Sequence, residues 1–291
     1  MTDAITLPAA VEKYVSRGLH SVSGWFSETD ARLVALIDAQ QRASSIRGDL
    51  CEIGVYRGRC LVLLGLLAQS GETVFGVDIF GRRNENIDDA DVSDEQITRA
   101  NLARFCNGVR YHLVSKHSLN LTSEDLRVDN GPPAGIRLFC VDGGHTREIT
   151  AHDFRLGEKL LTEGGVVVVD DFFNRNWPGV SEGINRIYHA GETSLRPFAI
   201  GQAKVFFAKG DFADLYQASI KRAWHHIGHG PVDEPEMFGA PVAVIKAPSG
   251  KLALARRYIK GLPIVSAIRR AQYRCFVHGS SMIPIALCPL G

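Results

Sequence analysis

The sequence predicts an α/β protein built on a doubly wound, mostly parallel sheet, and three observations predict it. Short apolar runs recur along the chain and end in glycine or a carboxylate, as at Ile53-Gly54, Val77-Asp78, Val141-Asp142 and Val169-Asp170-Asp171. A brief apolar run bounded by turn residues reads as a strand buried on both faces. Helix-length segments separate these runs, and strand–helix–strand order makes the strands parallel. Finally, residues 196–200 and 204–208 flank Gly201-Gln-Ala203 and read as an antiparallel hairpin that closes the sheet.

Each element follows from local pattern. Residues 29–43 carry Leu33, Val34, Leu36 and Ile37 at helical spacing and open at Ser27 or Thr29 as a cap. Residues 48–54 form a strand ending at glycine, and residues 59–69 are apolar all round, as in a helix packed under a sheet. A second strand spans 73–78. A helix starts near Ser93-Asp-Glu and runs to Phe105, and residues 109–115 form a third strand. After a polar loop and the turn Gly131-Pro-Pro133 come a fourth strand (136–141) and a helix (147–161). Gly164-Gly165 is expected to stop that helix before a fifth strand at 166–170. Trp177-Pro-Gly leads to a short helix at 181–189. Past Gly210, residues 212–224 form an amphipathic helix, a His/Gly/Pro-rich link follows, 241–246 reads as an edge strand, and 252–273 is basic and periodic.

Composition narrows the class. The chain has 291 residues, 45% hydrophobic and 22% charged, which is ordinary for a water-soluble globular protein. No basic start with an apolar core opens the chain and no run approaches membrane-spanning length, so a cytoplasmic location is expected. Six cysteines without a C-x-x-C spacing read as small buried hydrophobes in a reducing compartment. The net charge of +1 hides an asymmetry: residues 237–291 hold eight Lys/Arg and no Asp or Glu. Such a tail suits an anionic membrane or glycan partner, or docking on the acidic remainder of the chain. Nucleic acid is disfavoured, because only Tyr258 and Tyr273 interleave with the basic residues.

Ligands of open α/β sheets bind beyond the carboxyl ends of the strands. Glu52-x-Gly54-x-x-x-Gly58 sits where the first strand turns into a helix, so backbone N–H groups there can approach a ligand closely. The spacing is not G-x-G-x-x-G, which argues against a dinucleotide site. Asp78, ending the second strand, is placed to accept hydrogen bonds from a ribose, or simply to cap a turn. Asp142, His145, Asp170 and Asp171 should share one sheet edge, where three carboxylates repel unless a cation or base compensates them.

These pieces, Glu52-Ile-Gly-Val-Tyr-Arg-Gly58, Val77-Asp78, Val141-Asp-Gly-Gly-His145, Glu163 to Asp171 and Trp177-Pro-Gly-Val-Ser-Glu-Gly183, resemble the class I S-adenosylmethionine-dependent methyltransferases. The likeness is above all to the bacterial group with the metal-dependent macrolide and sugar O-methyltransferases. It implies a Rossmann-like, seven-stranded sheet with its last strand antiparallel. It also implies S-adenosylmethionine held by Glu52, Gly54, Tyr56 and Gly58, with Asp78 at its ribose and Ser118 near its adenine. Cys60 stands where a serine is common in that family. The expected organisation is a helical lid over 1–47, a methyltransferase domain over 48–210 and a basic extension over 211–291.

The implied chemistry is O-methylation of a sugar or glycosylated small molecule. Asp142, Asp170 and Asp171 would hold Mg²⁺ against the acceptor oxygen, and His145 would take its proton, with Asp142 sharing in catalysis. Trp177-Pro-Gly would wall the acceptor pocket or merely pack its loop, and Trp25-Phe26 would serve as a lid or as a hydrophobic staple. The alternatives are a metal-independent methyltransferase acting on another oxygen or nitrogen, and a non-catalytic subunit that binds a partner through its tail. A homo-oligomer is compatible with either.

Overall fold

A computed structural model describes residues 7–88, 92–128, 135–227 and 230–246. The chain divides into two compact units, Met1–Ala247 and Pro248–Gly291. All described residues fall in the first unit, so the basic tail beyond Lys246, with Cys275 and Cys288, lies outside the described residues.

Strands β1 (Asp49–Ile53), β2 (Thr73–Asp78), β3 (Arg110–Ser115), β4 (Ile136–Val141) and β5 (Leu161–Val169) run parallel, with β1 central between β2 and β4. Strand β6 (Leu195–Ile200) and strand β7 (Val205–Lys209) form the expected hairpin, and β7 pairs antiparallel with β5. The order β3-β2-β1-β4-β5-β7-β6 gives the seven strands implied by the family resemblance. Strands β8 (Val232–Asp233) and β11 (Ala243–Ile245) extend this sheet to nine, while β9 (Glu236–Met237) and β10 (Ala240–Pro241) pair separately. The expected edge strand at 241–246 is therefore shorter and lies inside the sheet: β11 sits between β6 and β8.

Alternating side chains send two apolar sets to opposite faces of the sheet. Leu50, Val74, Leu138 and Phe206 pack with helices α1 (Ala9–Ser16), α2 (Glu28–Ala43), α3 (Arg59–Leu67) and α7 (Gly210–Ile227). Ile53, Phe139, Val167 and Phe207 pack with α5 (Arg147–Leu160) and α6 (Pro178–His189) on the other face. Helix α4 (Glu95–Phe105) lies against α3. Capping fixes the helix starts: Ser27 Oγ accepts from the Asp30 N–H at 3.0 Å, Asp94 caps α4, and Pro178 opens α6.

Two features depart from local expectation. Gly164-Gly165 does not stop a helix, because α5 ends at Leu160 and β5 begins at the next residue. The glycines instead sit where β5 shifts register against β4, and a Cβ on Gly165 would meet the Ile136 carbonyl at 2.8 Å. The second is Arg137, fully buried in β4 and ion-paired to Asp38 of α2 at 2.8 Å and to Glu72 at 3.0 Å. Removing one partner of such a buried pair costs ~3–5 kcal/mol, so this network locks α2 to the sheet.

Candidate active site

Strand order reverses between β1 and β4, and the crevice at that switch point is where α/β sheets take ligands. A cleft of about 510 Å³ opens there, a size that suits a cofactor-sized molecule. Glu52, Gly54, Tyr56, Asp78, Ser118, Asp142, His145, Asp170 and Asp171 all line it, together with Trp25 and Trp177. Gly58 does not line the cleft; it caps α3 in a left-handed conformation, φ 85°.

At the end of β1 the two central backbones almost touch. Gly54 adopts φ +87°, and a Cβ there would lie 1.7 Å from the Asp142 carbonyl oxygen. The glycine is thus required by the approach of β4 before any ligand is considered. Glu52, 2% exposed, leaves its Oε2 without a hydrogen-bond partner in the protein. Burial, then the neighbouring Cys60, pushes its carboxyl well above the usual range. Asp78 already works within the protein: its Oδ2 accepts from the Tyr56 N–H at 2.8 Å and its Oδ1 from Ser93 Oγ at 2.6 Å. It therefore moulds the β1–α3 turn while facing the cleft. Trp25, 72% exposed, lies over Tyr56 with ring centroids 5.0 Å apart, so the segment before α2 reaches the cleft mouth.

The carboxylates at the ends of β4 and β5 do not form a three-ligand set, and among the described residues no group of three or more His, Cys, Asp and Glu side chains is arranged to hold a metal. Lys204 explains why. Its Nζ lies 2.8 Å from Asp170 Oδ2 and 3.3 Å from Asp142 Oδ2, with the Phe26 ring 5.4 Å away. Burial opposes the ammonium, but Asp142 and Asp170 outweigh it and hold its pKa well above the ordinary range. Asp142 is pushed up by burial and by the charge of Asp170, against the pull of Lys204. Asp171 turns elsewhere: its Oδ2 faces His145 Nε2 at 3.4 Å and its Oδ1 accepts from Asn174 Nδ2 at 3.0 Å.

His145 is gripped on its other side by Asp88, whose Oδ2 lies 2.7 Å from Nδ1 and accepts from the His145 N–H at 3.1 Å. Burial works against protonation, but hydrogen bonds to Asp171 and Asp88 dominate and raise the imidazole to about 10. Trp177 stacks on the ring at 4.5 Å with planes 17° apart, which fixes its orientation. The arrangement presents a carboxylate-oriented imidazole whose Nε2 faces Asp171, both residues lining the cleft.

Sequence reasoning missed Lys204 and Asp88. A signal for Lys204 existed: a lone lysine opens the apolar strand of a hairpin, and an antiparallel β7 puts its first residues level with the end of β5. Val205 pairs with Val169, so Lys204 and Asp170 must neighbour each other. Asp88 belongs to an irregular acidic loop, and no spacing announced its return to His145.

Comparison with known proteins follows the same outline. Residues 51–172 match the family described as "Methyltransferase domain". The "Uncharacterized protein R132" of Acanthamoeba polyphaga mimivirus is 33% identical over 72 residues, covering 23% of this chain and 33% of that protein, so the chain spans about a third of this curated relative. The structure is similar to that of the O-methyltransferase NovP, with TM-score 0.50 and 16% identity over 61% of this chain and 79% of that one. CalS11, a TDP-rhamnose 3'-O-methyltransferase of calicheamicin biosynthesis, is 20% identical with TM-score 0.47, over 70% of this chain and 88% of that one. At such identity the structural likeness is one of fold.

Proposed function

We propose, from the match of residues 51–172 to the methyltransferase-domain family, that this chain transfers a methyl group from S-adenosylmethionine to a hydroxyl of a small molecule. The observation that carries the reading is the cleft at the switch point, where a buried Glu52 carboxyl with its Oε2 unpaired and an oriented His145 line one cavity. Glu52 Oε2 suits a cationic amino group, because a buried unpaired acceptor is costly until a donor meets it. Asp78, Tyr56 and Ser118 would flank the ribose and adenine, as the resemblance implies. S-adenosylmethionine supplies an electrophilic methyl on a sulfonium, and the protein's part is to orient the acceptor oxygen.

That part falls to His145. Asp88 fixes the ring through Nδ1, leaving Nε2 to accept the hydroxyl proton in place of its contact with Asp171. With the cofactor bound, a C–O bond would form as the C–S bond breaks and leaves its electron pair on sulfur, and the hydroxyl proton would pass to His145. Trp25 and Trp177 offer flat apolar faces, and Asn174, Asn176 and Arg82 offer polar groups around the same cavity. This mixture suits a sugar or glycoside, whose rings present both C–H faces and hydroxyls.

Magnesium, expected from the sequence, fits poorly while Lys204 binds Asp142 and Asp170. A metal-dependent reading survives as the second one, since three acids do share this edge; it requires Lys204 to yield its partners.

Calorimetric titration of S-adenosylmethionine into the protein tests the central reading. Micromolar binding, weakened at least tenfold by Glu52→Ala, is expected. Absence of binding to the wild-type protein would sink it. Methyl transfer to a panel of sugars and glycosides, with and without EDTA, then separates the two readings of the metal.

A further inference from the structure

We propose that Lys204 is a resident cation of the carboxylate cluster, a built-in replacement for a divalent metal at Asp142 and Asp170. The proposal rests on the methyl-transfer reading only for placing this cluster beside the acceptor. Three observations carry it. Lys204 Nζ contacts both carboxylates, at 2.8 and 3.3 Å, from a residue only 1% exposed. Both acids line the cleft and the lysine does not, so it compensates them from the side away from the cavity. And the lysine is held by design of its hairpin: Asp30, fully buried in α2, accepts from the backbone N–H groups of Gln202 at 2.8 Å and Ala203 at 3.3 Å, while the Gly201 N–H bonds the Lys204 carbonyl at 2.8 Å. Gly201 is itself needed there, since a Cβ would lie 1.9 Å from Asp30 Oδ1.

The physical consequence concerns charge. Two acids at the ends of adjacent parallel strands repel each other and must be compensated. A divalent ion does this reversibly and from solution; a lysine tethered to β7 does it permanently. Asp171, released from metal duty, is then available to His145, which is where the structure puts it.

Manganese uptake, followed by loss of the free-ion electron paramagnetic resonance signal, tests this with neither cofactor nor acceptor present. Its failure is thereby distinguishable from failure of the methyl-transfer reading. The full-length wild-type chain and Lys204→Arg should take up no Mn²⁺ at the cluster. Lys204→Met should gain one site, at least tenfold tighter than any wild-type binding, and Asp170→Asn added to it should remove that site. A wild-type site that Asp170→Asn abolishes would overturn the proposal, as would a folded Lys204→Met that takes up no Mn²⁺. If Lys204→Met alone does not fold, the double variant Lys204→Met/Asp170→Asn, which removes the lysine together with the nearer of its two acids and so ends the repulsion between them, should fold by circular dichroism. Its failure to fold would overturn charge compensation as the role of the lysine.

Discussion

Two carboxylates hold the His145 ring from opposite sides, and this sets how the site should respond to pH. With its pKa raised to about 10, the imidazole carries a proton at neutrality, whereas a general base must be neutral. The rate of methyl transfer should therefore climb with pH from 7 toward 10 as the neutral form appears. Asp88→Asn removes the negative charge that helps raise the imidazole and weakens its hydrogen bond to Nδ1, so the rising limb should move to lower pH while the maximum rate falls because the ring is held less firmly; pH–rate profiles of the two proteins check this. A limb at the wild-type position in the variant would show that another group titrates. His145→Ala should lower kcat by ~10²–10⁴-fold, the usual worth of a positioned acid–base group, with S-adenosylmethionine affinity measured by calorimetry almost unchanged. Loss of folding in that variant would instead mark the ring as structural support for Trp177. The candidate residues were legible where they stand at strand ends, as Glu52, Asp78, Asp142 and Asp170 do, because chain order fixes a strand end. Asp88 was not, because its partner lies 57 positions away across an irregular loop.

At the scale of elements, the close contact of β1 with β4 makes a second test. Gly54→Ala puts a methyl group into the Asp142 carbonyl, so the strands must part. The expected result is a lower melting temperature together with weakened cofactor binding, whereas Glu52→Ala should weaken binding with little thermal change. Melting curves beside titrations distinguish the two. Strong periodicity made most elements readable: β2 and β4 appear at the residues their apolar runs predict. Gly164-Gly165 misled because glycine signals both a helix stop and a strand irregularity, and only the β4–β5 register decides between them. The short pairings of β8 to β11 carry too few residues to leave a period in the sequence.

Taken whole, the first unit contains its own means of folding. Both apolar faces of the sheet, the Arg137 network and the cleft, as the described residues form them, lie within residues 7–246, and α7 belongs to this core through Tyr216, Ile220 and Trp224. Residues 1–247 made alone should therefore melt cooperatively and bind S-adenosylmethionine with the affinity of the full chain; a tenfold loss would assign the remaining residues a part in the site. The chain also has three tryptophans in three distinct settings: Trp224 is 1% exposed, Trp25 stands at the cleft mouth, and Trp177 lies flat on His145. That stack has an optical consequence. A protonated imidazole quenches the emission of an indole it touches, and a neutral one does so far less. The protein's own fluorescence thus carries a readable signal of the protonation state of its candidate base, brightening as His145 gives up its proton.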